Sequence, residues 1–327
     1  MKPAVEVPAL GVRLQRGEFP NVNQRSLLPT ESQTAAFELV TPLGVDGPTP
    51  VCVVLAATGE HGFGRRRSLM ALPLASRGIA SLVLESPFYG SRKPRGQVGS
   101  MLRCVSDLPV LGYATIDEAR SLVKWLHDTG DFGPVVLSGN SMGGLHSAMA
   151  ASLLPYDVGV VSWLGPPSAE PVFTLGMLSN ACEWEALAHT ADVRLDQSLS
   201  QLEALLDDQW RRLEIETPYA TDTASDCEDP AMANARRQMS RFLHLTDIKT
   251  FPPPRRPDAT VFVAGSNDLF VPPEVCAPTW ATMERLWPGC EVRWTPGGHV
   301  SGILFERKAA ADTVADIVAT LQTTNHA

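Results

Sequence analysis

Apolar and polar positions alternate along the chain in two rhythms. Short continuous apolar runs recur at Val51–Ala57, Ala80–Leu84, Val135–Leu137, Val158–Leu164 and Thr260–Ala264. Such runs read as strands buried on both faces of a parallel sheet. Between them lie segments of helical period. Arg65–Ser76 ends at Gly78. Ile116, Ala119, Val123 and Leu126 line one face behind Thr115-Ile116-Asp117-Glu118, which has the spacing of a capping box, and Gly130 closes that helix. Met142–Leu154 is apolar and small, and Val314, Ile317, Val318 and Leu321 mark a closing amphipathic helix. Ala36–Thr41 and Glu291–Trp294 add two more strands, whereas residues 1–35 carry turn formers and read as an irregular lead-in with at most one short strand.

Repeated strand and helix predict an α/β fold: a mostly parallel central sheet with helices on both sides and its ligand site at the carboxyl edge of the strands. The alternation stops between residues 165 and 257. There Glu183–His189, Leu195–Ile215 and Ala231–Leu245 read as helices around an acidic stretch, Glu216–Pro230, and the proline-rich segment Phe251–Pro257 ends the interruption. The division expected is a lead-in over 1–35, a core over 36–164 and 258–327, and a helical cap inserted over 165–257.

Composition narrows the function classes. The chain has 327 residues and is 44% hydrophobic, with a net charge of -9 that argues against nucleic acid as a general partner. No apolar run approaches the roughly 18 residues that cross a bilayer, which leaves room only for peripheral membrane contact. Six scattered cysteines, Cys52, Cys104, Cys182, Cys227, Cys276 and Cys290, show neither a CxxC pair nor zinc-ligand spacing. With no apolar signal core in Met1–Pro20, they suggest a reducing intracellular compartment, cytoplasmic or mitochondrial, and not secretion. No metal or cofactor is expected, since nucleotide and dinucleotide fingerprints are absent from the sequence.

The chemistry concentrates at Gly139-Asn140-Ser141-Met142-Gly143, a G-x-S-x-G pattern between a strand and a helix. The flanking glycines suit a sharp turn that presents the serine. A serine hydroxyl needs an imidazole base and a carboxylate to orient it. Asp268 follows the strand Val261–Ala264, and His299 follows Glu291–Trp294 through Pro296-Gly297-Gly298. The chain order serine, acid, histidine is that of hydrolases of this pattern. His146 lies on the serine's own helix, pointing away from the hydroxyl, and reads as structural.

Oxyanion donors are expected from the amide of Met142 and from the loop after Val51–Ala57, at Glu60 or, one residue earlier, Gly59. His61 reads as a supporting residue. Arg65, Arg66, Arg67, Arg92 and Lys93 are placed on the rim, where they would hold an anionic head group; solvation and pairing along helices is the commoner use of such clusters. Phe173, Leu175, Met177 and Trp184 would roof an acyl pocket or pack the cap.

Taken together, Ala57-Thr58-Gly59-Glu60-His61, Arg65–Met70, Leu84–Gly90, Arg92-Lys93-Pro94, Gly139–Gly144, Leu286–Arg293 and Gly297–Ser301 resemble the alpha/beta-hydrolase domain-containing protein 18 family, over about Pro29–Phe305. The resemblance implies an alpha/beta-hydrolase fold and a serine hydrolase with Ser141, Asp268 and His299 at the triad positions. It suggests small-molecule or lipid esters, including phospholipid acyl esters, as substrates. A hydrolase fold that has lost turnover and serves as an interaction module, or an acyltransferase, are the alternatives.

Overall fold

The computed structural model describes residues 1–21, 27–45, 47–102, 107–182, 184–185, 188 and 229–324. Strands β1 (Val5–Val7), β2 (Val12–Pro20), β3 (Thr34–Pro42), β4 (Thr49–Leu55), β5 (Ala80–Leu84), β6 (Phe132–Asn140), β7 (Val158–Trp163), β8 (Thr260–Gly265) and β9 (Glu291–Thr295) form one sheet in the order β1-β2-β3-β5-β4-β6-β7-β8-β9. From β5 to β9 every pairing is parallel, while β1, β2 and β3 add an antiparallel edge.

That edge corrects the reading of residues 1–35 as an irregular lead-in. β2 pairs with β3 along its whole length, but it carries Arg13, Arg16 and Glu18 and is only intermittently buried. Only Val12 and Gly17 are buried along it, so no period-two apolar pattern announces the strand.

Side chains of the central strands divide by parity. Val51, Val53 and Leu55 enter one core and Cys52 and Val54 the other, as a pleated strand requires. The first core is covered by α3 (Asp107–Thr129), α4 (Met142–Ser152) and α7 (Pro273–Leu286). The second is covered by α9 (Arg307–Thr324) and by a helical stretch in which α1 (Gly64–Arg66) and α2 (Leu72–Ala75) flank a π turn at Arg67–Ala71. Pro73, which has no N–H to donate, stands just after that wider turn.

Helix α3 runs from Asp107, so Thr115 does not cap it. Thr115 Oγ1 instead donates to the Leu111 carbonyl, 2.8 Å away on the preceding turn. Pro109 falls in the first turn of α3, where proline is tolerated.

In the interrupting segment, α5 (Ala169–Thr174) packs on α6 (Pro230–His244) through a buried polar knot. Glu170, fully enclosed, accepts from the Ser240 hydroxyl and lies 3.0 Å from His244 Nδ1. The helix expected over Leu195–Ile215, residues 216–228 of the acidic stretch, and Cys104, Cys227, His189 and His326 lie outside the described residues. Among the described residues no helix is long and apolar enough to cross a membrane.

Candidate active site

Ser141 occupies the turn between β6 and α4 with φ 55 and ψ -122, a left-handed backbone that costs a non-glycine residue about 1–3 kcal/mol. Two glycines make the turn possible by close approach. A Cβ on Gly139 would fall 2.6 Å from the Gly143 carbonyl carbon, and one on Gly143 would fall 2.5 Å from the Leu55 carbonyl oxygen. The Ser141 amide is tied to the Trp163 carbonyl at 2.9 Å, and the Ser141 carbonyl takes the Gly144 and Leu145 amides. Phe88 and Leu164, the other non-glycine residues with positive φ among those described, follow β5 and β7. The strained positions therefore gather where strands end.

Asp268 and His299 meet at the same edge. Asp268 Oδ2 lies 2.6 Å from His299 Nδ1, while Oδ1 accepts the amides of Phe270 at 2.8 Å and Val271 at 2.9 Å. A buried carboxylate with three such partners has one orientation. The imidazole is stacked on Phe270, ring centroids 4.9 Å apart. His299 opens α8 (His299–Phe305), which Ser301 caps: its hydroxyl takes the Gly298 amide at 3.0 Å. That helix is drawn onto the end of β7, where Gly302 accepts the Trp163 indole N–H at 3.4 Å. Trp163 thus bonds Ser141 through its carbonyl and α8 through its side chain. Ser141 Oγ itself makes no hydrogen bond to His299 Nε2 in this structure; in acyl-transfer sites that contact tightens when substrate enters.

Beside Ser141 opens a pocket under α3, α4 and the interrupting segment. Ile116, Leu145, Met149, Val172, Phe173 and Leu243 make most of its wall apolar. Of the four residues expected to roof it, Phe173 does so. Trp184 instead donates to the Ser179 carbonyl at 2.8 Å and stacks under Arg236, and Met177 is exposed.

Met142 begins α4 and lines the pocket, so its amide is one of the N–H groups a helix start leaves without an internal partner. The second expected donor is corrected. The Glu60 amide donates to the Ala57 carbonyl at 3.2 Å, and its carboxylate accepts the Ala57 amide at 3.1 Å and faces Arg66 at 3.5 Å. The Gly59 backbone is engaged by the Tyr89 phenol, whose pKa burial raises, and by Ser100 Oγ at 3.1 Å. Thr58 is the residue of this loop that faces the pocket with Ser141.

Two of the rim cations, Arg66 and Arg92, prove internal, and a third, the half-buried Arg67, is tied to a buried carboxylate. Arg66 is buried and donates to the carbonyls of Val54, Leu84 and Gly62. Arg67 grips Glu38 through two bonds, at 2.5 and 2.9 Å. Arg92 is buried against Glu118, with bonds of 2.5 and 2.8 Å, and reaches the carbonyls of Glu85 and Ser32. None of the three is presented to a ligand. Arg65 is exposed and Lys93 half-buried, and neither lines the pocket. His61 accepts the Gly90 amide at 2.8 Å on Nδ1 and sits 3.0 Å from Ser100 Oγ on Nε2, which braces the Gly59 loop and leaves the substrate space alone.

Cys52, Cys276 and Cys290 are free and enclosed, with burial pushing each thiol up. Among the described residues no group of three or more His, Cys, Asp or Glu side chains converges on a metal position.

A parallel sheet flanked by helices, with a serine on a strand-to-helix elbow and an acid and histidine on later strand ends, defines an α/β-hydrolase. The model of the alpha/beta hydrolase domain containing 18 family matches residues 11–320, and the chain belongs to that family. Among solved structures it is similar to TT1662 from Thermus thermophilus (14% identity, TM-score 0.54, covering 94% of this chain and 98% of that one). It is likewise similar to a thermostable esterase from Pseudomonas putida (13%, TM-score 0.54, 97% and 86%) and to acetyl xylan esterase 1 from Thermoanaerobacterium (13%, TM-score 0.54, 98% and 86%). At these identities the likeness is one of fold.

Proposed function

We propose that this hydrolase is a serine esterase that cleaves a carboxylic ester through an acyl-enzyme. One observation carries the reading: a strained, glycine-flanked Ser141 stands on the same sheet edge as an imidazole already oriented by a buried carboxylate, Asp268 Oδ2 to His299 Nδ1 at 2.6 Å. In this reading Asp268 accepts an N–H from His299 Nδ1, the tautomer that leaves Nε2 to act as base.

In this mechanism Ser141 Oγ bonds to the ester carbon as its proton passes to His299 Nε2. The carbonyl oxygen becomes an oxyanion, received by the amide of Met142 and by Thr58, which takes the role expected of Glu60 or Gly59. The carbon–oxygen bond to the alcohol breaks, and His299 returns its proton to the departing alkoxide. Water then adds to the acyl carbon, gives a proton to Nε2 and releases the acid, restoring the serine. The apolar wall of the pocket favours esters with a greasy acyl group, in keeping with lipid-like substrates. Peripheral contact with a membrane would serve that supply.

A fluorophosphonate probe tests the reading. Wild-type protein should label and Ser141→Ala should not. Absence of labelling on folded wild type, or labelling unchanged in the variant, overturns it and favours a non-catalytic binding role. Acyl transfer would show as ester exchange when an alcohol acceptor is added.

A further inference from the structure

His146 is a polar group of the pocket that acyl transfer does not use. His146 stands on α4 five residues beyond Ser141, about 7.5 Å along the axis, and its side chain lines the same pocket as the nucleophile. It is 6% exposed, and its Nδ1 is enclosed with no hydrogen-bond partner among the described residues. Buried side-chain nitrogens are nearly always partnered, so a histidine serving only to pack would be expected to have found one. Burial also lowers its pKa to about 4, which keeps the ring neutral near pH 7, one nitrogen a donor and the other an acceptor.

The ring's other nitrogen, Nε2, faces α3 at the edge of the pocket. Leu145, Met149 and Ile116 are apolar neighbours in the lining, and across from the imidazole α3 presents Gly112, where an added methyl would lie 3.2 Å from Nε2. Glycine in a helix interior is less favourable than alanine. Here the missing side chain lets α3 lie close against the ring tip without a clash.

We infer that His146 is a specificity-determining residue that hydrogen-bonds an oxygen substituent partway along the acyl chain, so that the preferred substrates are esters of hydroxylated acids and not of plain saturated ones. A hydroxyl can accept from an N–H or donate to a bare nitrogen, so it suits either tautomer of the ring. The inference rests on the esterase reading above.

The test compares two p-nitrophenyl esters, one of a medium-length saturated acid and one of the same acid carrying a mid-chain hydroxyl. Wild type should favour the hydroxylated ester in kcat/KM by about tenfold, the worth of one buried hydrogen bond. His146→Leu should abolish that preference while still hydrolysing the plain ester, and His146→Gln, with a donor and an acceptor, should retain part of it. Gly112→Ala, which favours the helix and crowds Nε2, should reduce the preference and keeps the test open if His146→Leu does not fold. A wild type with no preference overturns the inference, as does a ratio unchanged in both His146→Leu and Gly112→Ala. If neither ester turns over and the fluorophosphonate leaves Ser141 unlabelled, the esterase reading falls and this one with it.

Discussion

Asp268 gives one carboxylate oxygen to His299 Nδ1 and holds the other fixed with the amides of Phe270 and Val271. The two oxygens thus have separable roles. In Asp268→Asn, the amide oxygen can keep the two backbone donors, but the nitrogen would present an N–H to Nδ1 and force the wrong tautomer. Esterase kcat should fall by about three to four orders of magnitude while the melting temperature hardly moves. Steady-state kinetics beside a thermal melt checks it, and a large loss of stability with kcat retained per folded molecule would show Asp268 to be a structural capping group.

The glycines of the elbow make a second case. In Gly139→Ala or Gly143→Ala the new methyl meets backbone atoms at 2.6 and 2.5 Å, which no rotamer change relieves. Each should destabilise the protein by about 2 kcal/mol or more and abolish labelling at Ser141 in whatever fraction remains folded. Denaturant unfolding measures the first and probe labelling the second.

How far the site could be read from the chain depends on what each residue must do locally. β4 to β8 were legible because both faces of these strands are largely covered, so apolar runs betray them, whereas β9 is an edge strand with exposed Glu291 and Trp294. Ser141 and Asp268 stand out because each follows such a run, and His299 because it follows the last strand through Pro296-Gly297-Gly298. Arg66 and Arg92 misled for the opposite reason: a cation reads as surface, and only tertiary structure supplies the carbonyls and carboxylates that let it be buried. Phe270 and Thr58 carry no local signal at all. Their positions beside Asp268 and beside the Gly59-Glu60 pair were the available clue, since loops next to catalytic residues must be held by something. Helix α7 was hidden by Pro273 and Pro278, one in the first turn and one inside the helix.

The Arg92–Glu118 pair gives a prediction about stability and none about catalysis. Both side chains are buried, and Asn21 Nδ2 also donates to Glu118 at 2.9 Å. Arg92→Met would leave an uncompensated carboxylate, with an expected loss of about 3–5 kcal/mol, and Arg92→Met/Glu118→Leu should regain much of it. Activity per folded molecule should stay near wild type in both. A raised KM for anionic esters in a fully stable Arg92→Met protein would restore Arg92 as a ligand contact.

His146 sets a pH window. Its folded pKa, about 4, lies below the ordinary 6.5, so between those values the unfolded chain binds a proton that the folded chain refuses. Stability is unaffected above pH 6.5 and declines as pH falls toward 4, by about 3 kcal/mol in all. In His146→Leu the decline over that interval should be smaller by about that amount. Urea unfolding at several pH values between 4 and 7 compares the two, and parallel curves would show that the imidazole is not held neutral by the fold.

The account as a whole depends on a covalent bond forming at Ser141. Mixing the protein with a p-nitrophenyl ester, quenching in acid within the first turnover and mapping the peptides by mass measures this most directly. The expected result is an acyl mass on the peptide carrying Ser141, absent in Ser141→Ala and strongly reduced in His299→Ala. Ester turnover with no acyl adduct, or with the adduct on another residue, would contradict the mechanism.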